Sequence, residues 1–252
     1  MNIKNICTAL YLLSVLFIIS CKQKQVVPDC GTPPGADKLF VFVGEKIEVN
    51  DITDEDDGMD LKFSAKYKIL QKICGVYASD TISFTGYDHY GMPEFSKSKT
   101  SLLFLLAYND TFYHAKYLHF DVHKTTDNRW AGYPYKTLLR IEDSIHFKPQ
   151  KLDFVLPISY SVEGRTRRDV KRFYPPQFFT RKGDSVTTTW GNYVEDLYSA
   201  MKKTALKRRG YFDTLQRNTL IVNEEVKIAE RQEELAFSKT DLSSFKQNWQ
   251  NF

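Results

Sequence analysis

The sequence holds no apolar stretch long enough to stay in a bilayer. Its longest such run, at 9–19, is eleven residues. As a helix that run would span only about 16 Å, against a hydrocarbon core of roughly 30 Å. It also lacks the local spacings that mark common catalytic sites: there is no G-x-S-x-G, H-E-x-x-H or C-x-x-C, no phosphate loop and no dinucleotide glycine pattern. Those absences lower the case for an enzyme without excluding one, because catalytic triads are assembled in space rather than along the chain. A strong charge of either sign is missing too. The 35 bases stand against 31 acids, a formal +4, too even a balance to point to nucleic acid as a partner.

What is present at the start is a single base, Lys4, then the apolar run, then Lys22-Gln23-Lys24. This order reads as the charged and apolar regions of an export signal covering residues 1–20. The residues Ile18-Ile19-Ser20-Cys21 resemble the bacterial lipobox. The resemblance implies cleavage before Cys21, lipid on its thiol, and a place in the bacterial cell envelope, facing the periplasm or the cell surface. Bacterial lipoproteins carry several acyl chains, and two or more hold a protein firmly to a membrane. Residues 21–37, with Pro28, Pro33, Pro34, Gly31 and Gly35, read as a tether.

Removing residues 1–20 from 252 leaves 232, enough for one large domain or a domain with additions. Of the four cysteines, Cys7 leaves with the signal and Cys21 takes lipid. Cys30 and Cys74 remain as an even pair. In an oxidising compartment they are a candidate disulfide, stabilising by about 4 kcal/mol on the loop-entropy account; two separate buried thiols are the alternative.

The body from 38 to 162 has the pattern of an antiparallel β domain. Strands are expected at 39–49, 61–70, 81–87, 101–108 and 111–124, with a further pair at 135–145 and 151–162. In the second, Leu61, Phe63, Ala65, Tyr67 and Ile69 alternate with polar residues, the period of a strand with one wet face. Asn109-Asp110 suits a hairpin turn. Residues 163–189 read as an irregular basic loop. Residues 190–252 read as a helical extension, with Tyr193, Val194, Leu197, Tyr198, Met201, Ala205 and Leu206 at helical spacing and Gly210 at the end. Further helices are expected at 218–237 and after 238. The fold class is mainly β (α+β): an antiparallel OB-like barrel or sandwich with a C-terminal helical extension.

Between residues 30 and 108, Cys30, Phe40-Val41-Phe42-Val43-Gly44, the run from Tyr67 to Cys74-Gly75 and Asp80-Thr81-Ile82-Ser83-Phe84 resemble the netrin-module and tissue-inhibitor-of-metalloproteinases superfamily. The resemblance implies an OB-type five-stranded barrel and a protease-inhibitor-like module. Inhibitors of that family chelate the protease zinc with the free amino group and carbonyl of an N-terminal cysteine. This sequence departs from that arrangement, since Cys30 is internal and Cys21 would be acylated.

Three groups could carry chemistry. His119, Asp121 and His123 share one strand face at intervals of roughly 6.6 Å, a set that could hold zinc and support a metal-dependent hydrolase; a polar strand face bordered by aromatics is the plainer reading. Asp88 and His89 lie in a loop, where Asp88 could orient His89 as a base, but no nucleophile is identifiable. Arg165, Arg167 and Arg168, with Lys171 and Arg172, could meet anionic headgroups or an anionic glycan. Lys202, Lys203, Lys207, Arg208 and Arg209 lie where cations favour a helix C-terminus. Together these point to a lipid-anchored envelope protein with a binding or structural role and no required cofactor, its partners the membrane through lipid and an envelope protein or anionic glycan.

Overall fold

The computed structural model describes Pro28, Cys30, Gly31, Pro33 and residues 35–54, 59–134 and 146–211. The strand expected at 135–145, the helices expected beyond 217, and Cys21 lie outside these residues.

Five strands, β1 (Lys38–Asp51), β2 (Leu61–Cys74), β3 (Thr81–Asp88), β4 (Thr100–Tyr108) and β5 (Thr111–Asp121), close into a barrel in the order β1-β2-β3-β5-β4. That is the expected mainly β, OB-like architecture. One joint departs from the antiparallel expectation: β3 and β5 run parallel, meeting at Thr85 and Tyr113. The β4–β5 hairpin turns at Asn109-Asp110, both with positive φ (47° and 63°), the backbone that a tight two-residue turn requires. The Asn109 amide donates to Asp37 Oδ2 at 2.6 Å.

The unbroken apolar run at the start of β1 has a simple cause: both faces of the strand are covered. Phe40 and Phe42 point into the barrel with Ala65, Tyr67, Ile82, Phe84, Leu103 and Leu105. Leu39, Val41 and Val43 point outward beneath a helix. Burying one such side chain contributes roughly 1.5–3 kcal/mol. To pair with both β2 and β4, β1 must coil, and its register against β2 slips at Val41/Phe42, Val43/Gly44 and Lys46/Glu48. At Gly44 a Cβ would lie 2.6 Å from the Phe42 ring, so only glycine lets the strand bend that close. A short 3-10 helix, Glu94–Lys97, plugs one barrel end with the fully buried Phe95.

Strand β5 carries a wide irregularity. Leu103 pairs with His119 but Leu105 with His114, so the chain between bulges outward through Tyr117 at φ 68°. The bulge turns Ala115 and Leu118 toward the outer core. It also sends the Lys116 amine to Asp60, whose two oxygens it reaches at 2.7 Å each.

After the barrel the chain builds a second, smaller body. Strands β6 (His123–Lys124), β7 (Trp130–Gly132), β8 (Gln150–Lys151) and β12 (Trp190–Tyr193) form one sheet, and β9 (Ile158–Ser161), β10 (Thr180–Lys182) and β11 (Ser185–Thr188) another. They share an aromatic-rich core of Tyr133, Phe154, Ile158, Tyr174, Phe179 and Val186. The strand expected across 151–162 is split into β8 and β9, which Pro157, lacking an amide donor, separates. Residues 163–189 are not an irregular loop: they hold helix α1 (Arg167–Phe173) and the β10–β11 hairpin. Helix α1 starts where the Thr166 hydroxyl oxygen accepts from the Asp169 amide at 3.1 Å, a side-chain cap legible in Thr-x-x-Asp.

The helix expected from 191 starts later. Residues 190–193 pair as β12, and α2 (Val194–Lys203) and α3 (Ala205–Arg208) follow. They part at Thr204, whose hydroxyl donates back to Ala200 O at 2.9 Å. Val194, Leu197, Tyr198, Met201, Ala205 and Leu206 lie on β1, β2 and β4, and Gly210 follows with φ 71°.

Cys30 and Cys74 form a disulfide, their Cα atoms 5.1 Å apart. The Tyr198 hydroxyl donates to Cys74 Sγ at 3.1 Å, so helix α2 closes over the link. The tether reading of 21–37 therefore does not hold at Pro28, Cys30 and Ala36, which lie against the barrel. The Gly75 amide donates to Pro28 O at 2.8 Å, and Cys30 and Ala36 are buried on the barrel.

The barrel and second body meet tightly at Gly132, where a Cβ would sit 2.3 Å from the Asp121 carbonyl oxygen. Backbone cannot swing away as a side chain can, so Gly132→Ala is expected to destabilise the fold by about 1–3 kcal/mol. Thermal unfolding of the variant checks this; an unchanged Tm would show that the contact is slack.

Candidate functional site

The outer faces of β2, β3 and the start of β5 carry the residues that alternate away from the barrel core: Ser64 and Lys66, Ser83 and Thr85, and Thr111. Between β3 and β5 the seam is loosely zipped, with Thr85–Tyr113 its one registered pair. A groove of about 430 Å³ opens there, bounded by Glu48 on β1 and Asp110 at the hairpin tip and floored by Phe84 and Phe112. Hydroxyls that both donate and accept, one ammonium and two carboxylates over an aromatic floor suit a polar, neutral or zwitterionic ligand. The β2–β3 face beside the loop between strands four and five is also where OB barrels hold oligosaccharides and oligonucleotides. None of these residues stood out in the sequence. The available signal was the row of small hydroxyl residues on the wet face of β3.

The proposed zinc set does not assemble. His119 turns into the barrel end, its ring 6.3 Å from Phe95 and 6.2 Å from His114. Val122 breaks the strand, and its amide donates to Thr100 O. His123 then pairs with Ala131 in the second body and meets Phe154 edge-on at 6.4 Å. Alternation along one continuous strand was the premise, and the chain changes sheets at Val122. Among the described residues no three His, Cys, Asp or Glu side chains converge to hold a metal ion.

Asp88 does not orient His89. It is buried, and its Oδ1 accepts from the Tyr90 amide at 2.9 Å, closing a tight turn. The His89 Nδ1 lies 3.1 Å from Met59 O and 3.6 Å from Asp60 Oδ1. Asp60, absent from the sequence reading, is thus shared between His89 and Lys116, and among the described residues no hydroxyl or thiol hydrogen-bonds the His89 ring. The group functions as a brace between the β1–β2 and β3–β4 connections.

The two basic groups part company. Arg209 donates to Lys116 O at 2.8 Å and so ties the end of α3 to the barrel, while Lys202 sits 4.9 Å over the Tyr198 ring of its own helix. Arg165, Arg167, Arg168, Lys171 and Arg172 are all exposed, on and just before α1.

The titratable group furthest from its ordinary behaviour is His114, in the barrel interior. Burial above all, then the neighbouring His119 charge and, least, that of Arg209, push its pKa down to about 3, against the opposing pull of its hydrogen bond to Leu118 O. The ring is neutral and donates from Nε2 to that carbonyl at 3.0 Å. Burial also lowers His123, against the pull of Asp121. The unfolded chain binds these protons near pH 6.5 while the folded chain refuses them, so stability is full above that pH and drains away as pH falls toward 3. His114 contributes a slope of up to about 1.4 kcal/mol per pH unit. Urea unfolding at pH 7 and pH 5 is expected to show a smaller acid loss for His114→Gln than for the unaltered chain; an equal loss would contradict the assignment. No family model matches this chain, and none of the curated proteins or solved structures proved similar to it.

Proposed function

We propose that this chain is a lipid-anchored protein of the bacterial envelope with a non-catalytic binding role, its ligand taken in the groove on β2, β3 and β5. The observation that carries the reading is the Cys30–Cys74 disulfide. Disulfides persist in oxidising compartments outside the cytoplasm. A bonded pair nine residues after a cysteine that closes an export-type segment fits an exported chain. The hydroxyls, ammonium and carboxylates that line the groove offer donors and acceptors to a ligand, which supports binding as the role.

Geometry adds a constraint. The disulfide seats Cys30 on the barrel, and nine residues separate it from Cys21. Fully extended they reach about 30 Å, which would hold the barrel close to the bilayer. Pro28 and Gly75 lie at the barrel end where β1 begins and β2 finishes, the same end as the Asn109-Asp110 turn and hence the near rim of the groove.

The netrin-like resemblance remains a reading of the fold. An OB-order barrel, a cysteine staple between the leading segment and β2, and helices laid on β1 and β4 favour it. The inhibitor activity lacks its chemical basis, since Cys30 is internal and bonded to Cys74.

Metabolic labelling with a fatty-acid probe tests the anchor. The mature protein is expected to carry the probe and Cys21→Ala to lose it entirely. An unlabelled chain with a bare Cys21 would remove the proposal.

A further inference from the structure

Residues 1–128 contain no arginine, and five of the eleven in the chain lie between 165 and 181. The barrel is charged with lysine alone, whereas the second body concentrates the cation whose planar, weakly hydrated fork matches phosphate oxygens two at a time. Arg165, Arg167, Arg168, Lys171, Arg172, Arg181 and Lys182 are all exposed. The turn of the β10–β11 hairpin is brought beside Arg165, because the Val162 amide donates to Asp184 O and the Arg165 amide to Val162 O.

The local carboxylates do not account for these charges. Asp169 is engaged by the Thr166 hydroxyl at 2.7 Å, and Asp184 stands 3.9 Å from Arg181. Among the described residues none of the other six cations forms an ion pair. Arg167 and Arg168 occupy the first turn of α1, where the backbone dipole already presents positive charge, while Lys171 and Arg172 lie in its last turn, where cations are favoured. In the Lys202–Arg209 group, by contrast, no cation stands in the first turn of α2, and Arg209 is bonded to the barrel backbone. The display is firm: Val170 and Tyr174 are buried, and Phe173 lies between the Arg165 and Arg172 guanidiniums at 5.9 and 5.4 Å.

We infer that this arginine face is a docking surface for the phosphate headgroups of anionic phospholipid. The choice of a lipid surface over another phosphate-bearing partner rests on the proposed anchor, which would keep headgroup phosphates within reach of the molecule. Several cations near an anionic bilayer add their attractions, and salt screens them.

The test uses the mature chain, residues 21–252, carrying Cys21→Ala so that no acyl group contributes. Sedimentation with phosphatidylcholine vesicles holding about 30% phosphatidylglycerol is expected to bring the protein down, whereas pure phosphatidylcholine leaves it in solution and about 0.5 M NaCl releases it. Replacing Arg165, Arg167, Arg168 and Arg172 by Gln should weaken partitioning about ten-fold or more, with Lys202→Gln, Lys203→Gln and Lys207→Gln together changing it less than about three-fold. Losses in proportion to the four and three charges removed would reduce the effect to net charge and overturn the proposal. So would binding to neutral vesicles, no binding at all, or release by millimolar inorganic phosphate at constant ionic strength. If the four-fold variant fails to fold, the lipid and salt comparisons on the parent chain still decide. Since this chain carries no lipid, its result is separate from the labelling of Cys21.

Discussion

The covalent link between Cys30 and Cys74 joins the leading segment to the end of β2 at the point where β1 enters the barrel. Hydrogen bonds from the Gly75 amide to Pro28 O, from the Asp37 amide to Ala107 O and from the Asn109 amide to Asp37 Oδ2, with the burial of Ala36, add to its hold on that segment. With it, the outward residues Leu39, Val41 and Val43 gain a fixed edge against which α2 can pack, and Tyr198 completes the seal over the sulfur. The loop it closes accounts for a stabilisation of about 4 kcal/mol through the unfolded state, comparable to the whole margin of many domains. Any force along the leading segment would reach the barrel through that link.

A second constraint divides the labour between the two bodies. The barrel is filled on the inside by aromatics and covered on one outer side by α2 and α3, which leaves the β2–β3–β5 face free for the groove. The second body is built on close backbone contact, Gly191 against Gly132 and Gly132 against Asp121, and carries the arginines. The two surfaces thus differ in chemistry: hydroxyls with one ammonium and two carboxylates on the barrel, concentrated guanidinium on the second body.

Much of the barrel was legible in the sequence because its strands obey period two and its turns carry their own chemistry. Phe63, Ala65 and Tyr67 alternate inward as their spacing implies, and Asn109-Asp110 turns where those residue types tolerate positive φ. What failed has specific causes. The parallel β3–β5 joint is a product of closure, which no local pattern encodes. The chain changes sheets at Val122, so the alternation that aligned His119 and Asp121 with His123 ends one residue early. Residues 163–189 looked irregular because their elements are short and their core is shared with residues outside the segment, from nearby Ile158 to Tyr133, thirty residues before it. The groove was invisible for the same reason, since Glu48, Ser64, Ser83 and Thr111 lie on four different strands.

The most direct check on the account is the state of Cys30 and Cys74 in the chain isolated from its native cells without reductant, read by alkylation under denaturing conditions and peptide mass. The account requires a single pair of linked peptides and no alkylated thiol at either position. Free thiols at both cysteines in freshly isolated protein would contradict it, taking away both the staple on which the outer core rests and the main support for an exported chain.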